Sequence, residues 1–327
     1  MERKIKDKLY TLDEALNPER MRRELSEWST EIWGKPLRVA EVEPEVVRRR
    51  NQRCVIRYRI SFAGEPEQVT TLFGKVFKEG RGEAVFQKMQ DLWRNGFASA
   101  NGTLISMPRP YVFLKHLNLL LQEEVPGKPV KEYINSEADE ENLRILARTL
   151  AKLHQTRLTS LKEVFTVRDH LNRSHPKISF LKLALPDLAE VITRVVDFVL
   201  AWEKQARIEP LTPIHGDFHA GQVHIQGERS WLIDFDAMEL SDPAADLGNM
   251  LVFLKAKRKL RKRDRFIESF LDEYFRHMDQ DISRRIPIYE AITHLRRAAK
   301  RLRFQEEGWQ KKARKMVKKA AEIIEQV

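Results

Sequence analysis

The chain has 327 residues, with 59 Lys+Arg against 48 Asp+Glu, 42% hydrophobic residues and a single cysteine. That length buries a sizeable core in about two domains, and the composition excludes a disordered chain. No run of about 18 apolar residues is present, and a lone Cys54 cannot build a disulfide framework or a thiolate zinc site. The start, MERKIKDKLYTLDEALNPERM, lacks the apolar core of a signal peptide, so a reducing cytoplasm is the expected compartment.

Residues 37–78 read as strands. RCVIRYRISF alternates at period two, and VTTLFGKVF ends the run. EAVFQKMQDLW then carries apolar residues at helical spacing, Val85, Phe86, Met89, Leu92 and Trp93. Short strands around Pro110–Lys115 and Asn118–Val125 close at Pro126-Gly127. The reading is a small antiparallel unit, residues 1–126, with one packed helix.

Residues 127–327 read as mainly helical. Leu143, Leu146, Ala147, Leu150 and Leu153 form one stripe; Leu161–Leu171 suggests a short helix and Ile192–Trp202 a longer one. Short strands at Val223–Ile225 and Trp231–Phe235 precede helices over Ala244–Lys255, Arg265–Met278, Ile288–Phe304 and Gly308–Ile324.

The charge is uneven. Residues 251–327 hold 22 Lys+Arg and 11 Asp+Glu, whereas residues 1–250 hold 37 of each. The densest basic runs are Lys255–Arg265 and Lys311–Lys319. They suit either solvated helix faces or an anionic partner such as nucleic acid. In Ile288–Leu302, Arg296, Arg297, Lys300 and Arg301 fall off the apolar stripe, which predicts a core helix with a basic outer face. No nucleic-acid motif accompanies them.

One compact cluster carries unusual chemistry: P-I-H-G-D-F-H-A-G-Q-V-H-I, then W-L-I-D-F-D. Phosphoryl transfer needs a carboxylate to take the proton of the attacking hydroxyl and hard oxygen ligands for magnesium. Asp217, Gln222 five residues on, and Asp234 on a later strand reproduce the order of base, amide and metal carboxylate in the protein-kinase template. Taken singly, the aspartates also suit turns, His215 suits a buried, hydrogen-bonded histidine, and His219 and His224 suggest zinc, although His215, His219 and His224 lie in a loop-strand segment and do not share a helix face.

His215-Gly216-Asp217-Phe218-His219-Ala220-Gly221-Gln222, with Ile233-Asp234-Phe235-Asp236 and Asp242-Pro243-Ala244-Ala245-Asp246-Leu247, resembles the aminoglycoside phosphotransferase and choline kinase-like superfamily, from about Lys75 to Leu254. The resemblance implies an α+β, protein-kinase-like fold with an antiparallel-sheet N-lobe and a helical C-lobe. It implies ATP and Mg2+, and transfer to a hydroxyl of a small molecule: a sugar, an amino alcohol or an aminoglycoside. It makes Asp217 the catalytic base and Gln222 and Asp234 the metal ligands. Asn is commoner at the Gln222 position, and Gln resembles the branch that includes maltokinase. Lys75, in F-G-K-V-F, is the expected phosphate-binding lysine, with Glu83 as its helix partner and Glu79 and Asp91 as competitors. The main chain of Glu124 and Val125 is the expected adenine contact. His154 reads as a helix-packing histidine. Asp236, Glu239 and Asp242 are candidates for an acidic acceptor pocket, and equally for orienting sugar hydroxyls or capping helices, while the basic quarter points to an anionic acceptor.

One expected part is missing. No G-x-G-x-x-G precedes Lys75, and the first strand turn reads R-R-R-N-Q. Such a turn grips phosphate through side-chain charge or not at all. It keeps open a kinase-like regulatory or binding protein, and the basic quarter keeps open an anionic-surface or nucleic-acid binder.

Overall fold

A computed structural model of the protein describes residues 9–50, 52–99, 102–134, 140–256 and 263–327. Positions 257–262 of the basic run Lys255–Arg265 lie outside them. In chain order the elements are α1 (Leu12–Ala15), α2 (Pro18–Glu27), α3 (Ser29–Trp33), β1 (Val39–Arg50), β2 (Arg53–Phe62), β3 (Glu65–Phe77), α4 (Gly82–Leu92), β4 (Ile105–Ser106), β5 (Pro110–Leu114), β6 (Leu119–Glu123) and β7 (Lys128–Pro129). There follow α5 (Glu140–Gln155), α6 (Val167–Asn172), α7 (Ile178–Ala184), α8 (Ala189–Gln205), β8 (Thr212–Ile214), β9 (Val223–Gln226), β10 (Arg229–Leu232), β11 (Glu239–Ser241), α9 (Ala244–Lys255), α10 (Arg263–Phe275), α11 (Ile286–Phe304) and α12 (Trp309–Ile324).

The chain divides into two compact units. The first comprises the described residues up to Gly127 together with His224–Asp236; the second comprises Lys128–Val223 and Ala237–Val327. A boundary expected at one point after Pro126 is therefore a discontinuous division, in which a later segment returns to the first unit.

In the first unit, β1, β2, β3, β6 and β5 form an antiparallel sheet in that order. The period-two pattern of β2 puts Cys54, Ile56, Tyr58, Ile60 and Phe62 on one buried face. The N-terminal helices, absent from the sequence reading, contribute to the same core. Met21 and Leu25 of α2 are fully buried in it, the Trp33 ring meets Phe62 edge-on at 4.9 Å, and the Tyr58 hydroxyl donates to Ala15 O at 2.7 Å. Asn17 starts α2 by accepting the N–H of Arg20, with Pro18 in the first turn. Gly74 is demanded by this packing, because a Cβ there would lie 2.5 Å from Tyr58 Cε2. Its strand neighbour Lys75 therefore projects from the opposite face. The returning segment pairs β10 parallel to β4, Ser230 opposite Ile105.

In the second unit α11 packs on α9 and α12, and α5 on α10. Among the described residues, no helix is long and apolar enough to cross a membrane. The helix expected over 161–171 begins only at Val167. Thr166 caps it, exchanging hydrogen bonds with Asp169, while Phe165 N–H donates to Leu240 O at 2.7 Å as extended chain. β8 and β11 pair antiparallel, Ile214 opposite Glu239, and β8 delivers the chain into the segment His215–Gln222.

Candidate active site

The loop after β8 is held by Asp246, in the first turn of α9. Its carboxylate accepts the main-chain N–H of His215 at 2.6 Å and of Gly216 at 2.9 Å. His154 Nε2 lies 3.2 Å from the same carboxylate, and His154 Nδ1 lies 2.7 Å from the Tyr274 hydroxyl. Burial alone would raise the Asp246 carboxyl; the hydrogen bond and charge of His154 and the His215 N–H hold it below the usual range. His154 is thus a loop-positioning residue as well as a packed one. Asn249 Nδ2 adds a strut to Phe218 O at 2.7 Å.

Gly216, at φ +76, has no room for a side chain, since a Cβ would lie 2.2 Å from Ala237 O and 2.8 Å from Arg173 Nη1. Asp217 follows directly. Its carboxylate is exposed and makes no hydrogen bond or ion pair with a described residue; its N–H donates to His215 Nδ1 at 3.4 Å. Gln222 is buried, its N–H donating to His219 O at 2.8 Å, and its side-chain amide has no partner among the described residues.

The acids expected to line an acceptor pocket are engaged. Glu239 pairs with Arg173 Nη2 at 3.2 Å, and the Arg173 guanidinium also lies 4.0 Å over the Phe165 ring. Asp242, buried, caps Ala244 and pairs with Arg285 at 2.8 and 3.1 Å. Arg296 is a correction to the outer basic face predicted for α11. It is part-buried, burial lowers its affinity for a proton, and the nearby charges of Asp217 and Asp246 oppose that effect.

In the first unit, Lys75 Nζ lies 2.7 Å from Asp234 Oδ1 and also pairs with Asp236. Glu83, its expected partner, sits half-exposed in the first turn of α4, 3.6 Å from Lys115, and is not part of this group. Arg53, which sequence reasoning did not single out, forks onto Asp234 through Nη1 to Oδ1 at 2.9 Å and Nη2 to Oδ2 at 3.0 Å, and pairs with Asp236 as well. β10 stops at Leu232, so Asp234 does not end a strand as expected. It takes φ +69 and opens a short 3-10 turn, which brings it and Asp236 to the same two cations. Glu124 and Val125 follow the last residue of β6, beyond the sheet's pairing.

Residues 81–285 match the phosphotransferase enzyme family, APH. The chain belongs to that family. The phosphotransferase is thereby of the class that transfers a phosphoryl group from ATP to a hydroxyl of a small molecule. No curated protein matches it significantly. Among solved structures it is similar to a choline/ethanolamine kinase family protein from Mesorhizobium loti (14% identity, 86% of this chain and 88% of that one, TM-score 0.62). It is similar also to a spectinomycin phosphotransferase in complex with ADP and spectinomycin (14%, 95% and 99%, TM-score 0.57) and to an ethanolamine kinase of Plasmodium vivax (14%, 85% and 82%, TM-score 0.58). These likenesses establish the α+β, protein-kinase-like fold, with its antiparallel-sheet unit and its helical unit.

Proposed function

We propose that the phosphotransferase uses Asp217 as the base that accepts the proton of the acceptor hydroxyl as its oxygen attacks the γ-phosphorus of ATP and ADP leaves. The observation that carries this reading is the contrast between two aspartates of one loop system. Asp246 is buried and fully committed to the loop's main chain, whereas the carboxylate of Asp217 is exposed and uncommitted on a backbone that Asp246 holds still. A general base needs that combination of fixed position and available lone pair.

Asp234 and Gln222 would hold magnesium. The fit rests on chemistry present here: Asp234 already gathers two cations, and the buried Gln222 amide has no partner among the described residues to compete for its carbonyl oxygen. When bound, the ion neutralises phosphate charge. Lys75 binds phosphate oxygens, and the Glu124 and Val125 main chain takes the adenine. The acceptor is a hydroxylated small molecule within the range of sugars, amino alcohols and aminoglycosides.

Titrating ATP into Asp217→Asn and Asp234→Asn, with and without magnesium and alongside ADP release, tests the assignment. Asp217→Asn keeps magnesium-ATP binding and loses turnover by roughly 10²–10⁴-fold, the usual worth of a general base. Asp234→Asn loses magnesium-dependent affinity as well. Equal loss of affinity in both variants would misplace the base, and full activity in Asp217→Asn would remove the mechanism.

A further inference from the structure

The connection from β1 to β2 has no glycine to bring its main chain onto phosphates; Arg48, Arg49 and Arg50, expected in a turn, end β1 in the ladder, and only Asn51 and Gln52 separate them from β2. The residue that follows, Arg53, opens β2, and the sheet register decides where it points. Arg53 faces Phe77 and Val55 faces Lys75, so Arg53 and Lys75 are diagonal neighbours on one face of the sheet. Both reach the same two carboxylates, Asp234 and Asp236. The four groups sum to zero charge and are largely shielded, with side-chain exposures of 19% and 11% for the cations and 20% and 13% for the acids. Burial works against the charge on Arg53, and Asp236 and Asp234 restore it.

Asp234 gives one oxygen to Arg53 Nη1 and Lys75 and the other to Arg53 Nη2. Both oxygens are then engaged, so a metal ion at Asp234 would meet competition from Arg53 and Lys75. A magnesium nucleotide held through Asp234 would compete with the guanidinium fork for that carboxylate, and a guanidinium so released would be available to the nucleotide's oxyanions. A planar fork of N–H donors matches phosphate as well as carboxylate. Lys75 would make the same exchange as a point charge.

We propose that Arg53 is a nucleotide-phosphate ligand standing in for the absent glycine turn: it holds Asp234 and Asp236 when the site is empty and turns to the polyphosphate when nucleotide binds. The proposal rests on the nucleotide-binding reading given above.

The test compares adenosine, ADP and magnesium-ATP binding by calorimetry in the full chain and in Arg53→Ala, Arg53→Lys and Arg59→Ala. Arg59 lies on the same strand with its side chain 60% exposed, and serves as the control. Arg53→Ala should lose roughly 10–100-fold in ATP affinity, the worth of a hydrogen bond to a charged group, and nothing in adenosine affinity. Arg53→Lys should recover part of the loss, and it keeps the cluster's charge should the alanine variant fail to fold. ATP binding unchanged or tighter in Arg53→Ala would show that Arg53 only plugs the carboxylates. Equal losses for adenosine and ATP would show a structural role. Either result overturns the proposal and leaves the enzyme assignment standing. Failure of the unaltered chain to bind any nucleotide removes the assignment itself, and the proposal with it.

Discussion

Asp246 accepts from two successive main-chain N–H groups and meets His154 on the same carboxylate, so its removal leaves several buried polar groups unsatisfied at once. At about 1–3 kcal/mol for each stranded group, Asp246→Ala should cost at least about 3 kcal/mol in chemical denaturation. Gly216→Ala meets a different obstacle. The alanine would need φ +76 and a Cβ 2.2 Å from Ala237 O. The loop must move, and with it Asp217, so ADP release should fall at least tenfold. Nucleotide affinity without magnesium should persist, because Lys75, Glu124 and Val125 belong to the other unit, whereas Gln222 shares the loop that moves. Retained turnover in Gly216→Ala would show that the loop tolerates a shift its packing forbids. In sequence, H-G-D and P-A-A-D each offer one aspartate, and only the fold separates the committed carboxylate from the open one.

The helices of the second unit offer a test at the level of elements. His294 lies on α11 with its Nδ1 buried and unpartnered, and burial, then the charges of Arg297, Lys255 and Lys319, push its pKa down to about 4. The unfolded chain titrates this group near 6.5. Between about pH 6.5 and 4 the unfolded state therefore binds a proton that the folded state refuses, and stability falls as pH drops through that window. His294→Gln should show a smaller fall in melting temperature from pH 7 to pH 5 than the unaltered chain; an equal fall would place the proton elsewhere, His170 being the nearest alternative. On α12, Ala313, Val317, Ala320 and Ile324 are buried while Lys315 and Lys318 lie off that stripe. Val317→Asp should cost several kcal/mol by burying an unpaired carboxylate, and Lys318→Ala should change stability by less than about 0.5 kcal/mol.

Such stripes are why the long helices were legible: Ala244–Lys255 agrees at both ends, and α11 and α12 begin within two residues of expectation. The strands of the first sheet and Lys75 on β3 were legible for the same reason. What was not legible depends on pairing rather than periodicity. Helices α1 and α3, of four and five residues, are too short to show a pattern and are held by contacts to distant residues such as Tyr58 and Phe62. Lys75 was matched by analogy to a helix glutamate, yet the positive φ of Asp234 and the turn after it bring two nearer acids. Arg53 gave no signal of its own among neighbouring arginines; only the strand register distinguishes it from Arg50.

For the molecule as a whole, magnesium-ATP binds the native state alone and should raise the unfolding free energy by about 2.7 kcal/mol at a hundredfold excess over Kd. A melting temperature that ignores nucleotide at millimolar concentration would count against the ATP assignment. The division of the chain has a further consequence, and it concerns synthesis on the ribosome. Gly127 ends the first stretch of the unit that holds Lys75 and Arg53, while the acids that neutralise them, Asp234 and Asp236, are translated about a hundred residues later. At about 5–20 residues per second the nascent sheet waits roughly 5–20 s with two uncompensated cations on one face. The order of translation thus makes the helical residues 128–223 emerge before the N-terminal unit can be completed.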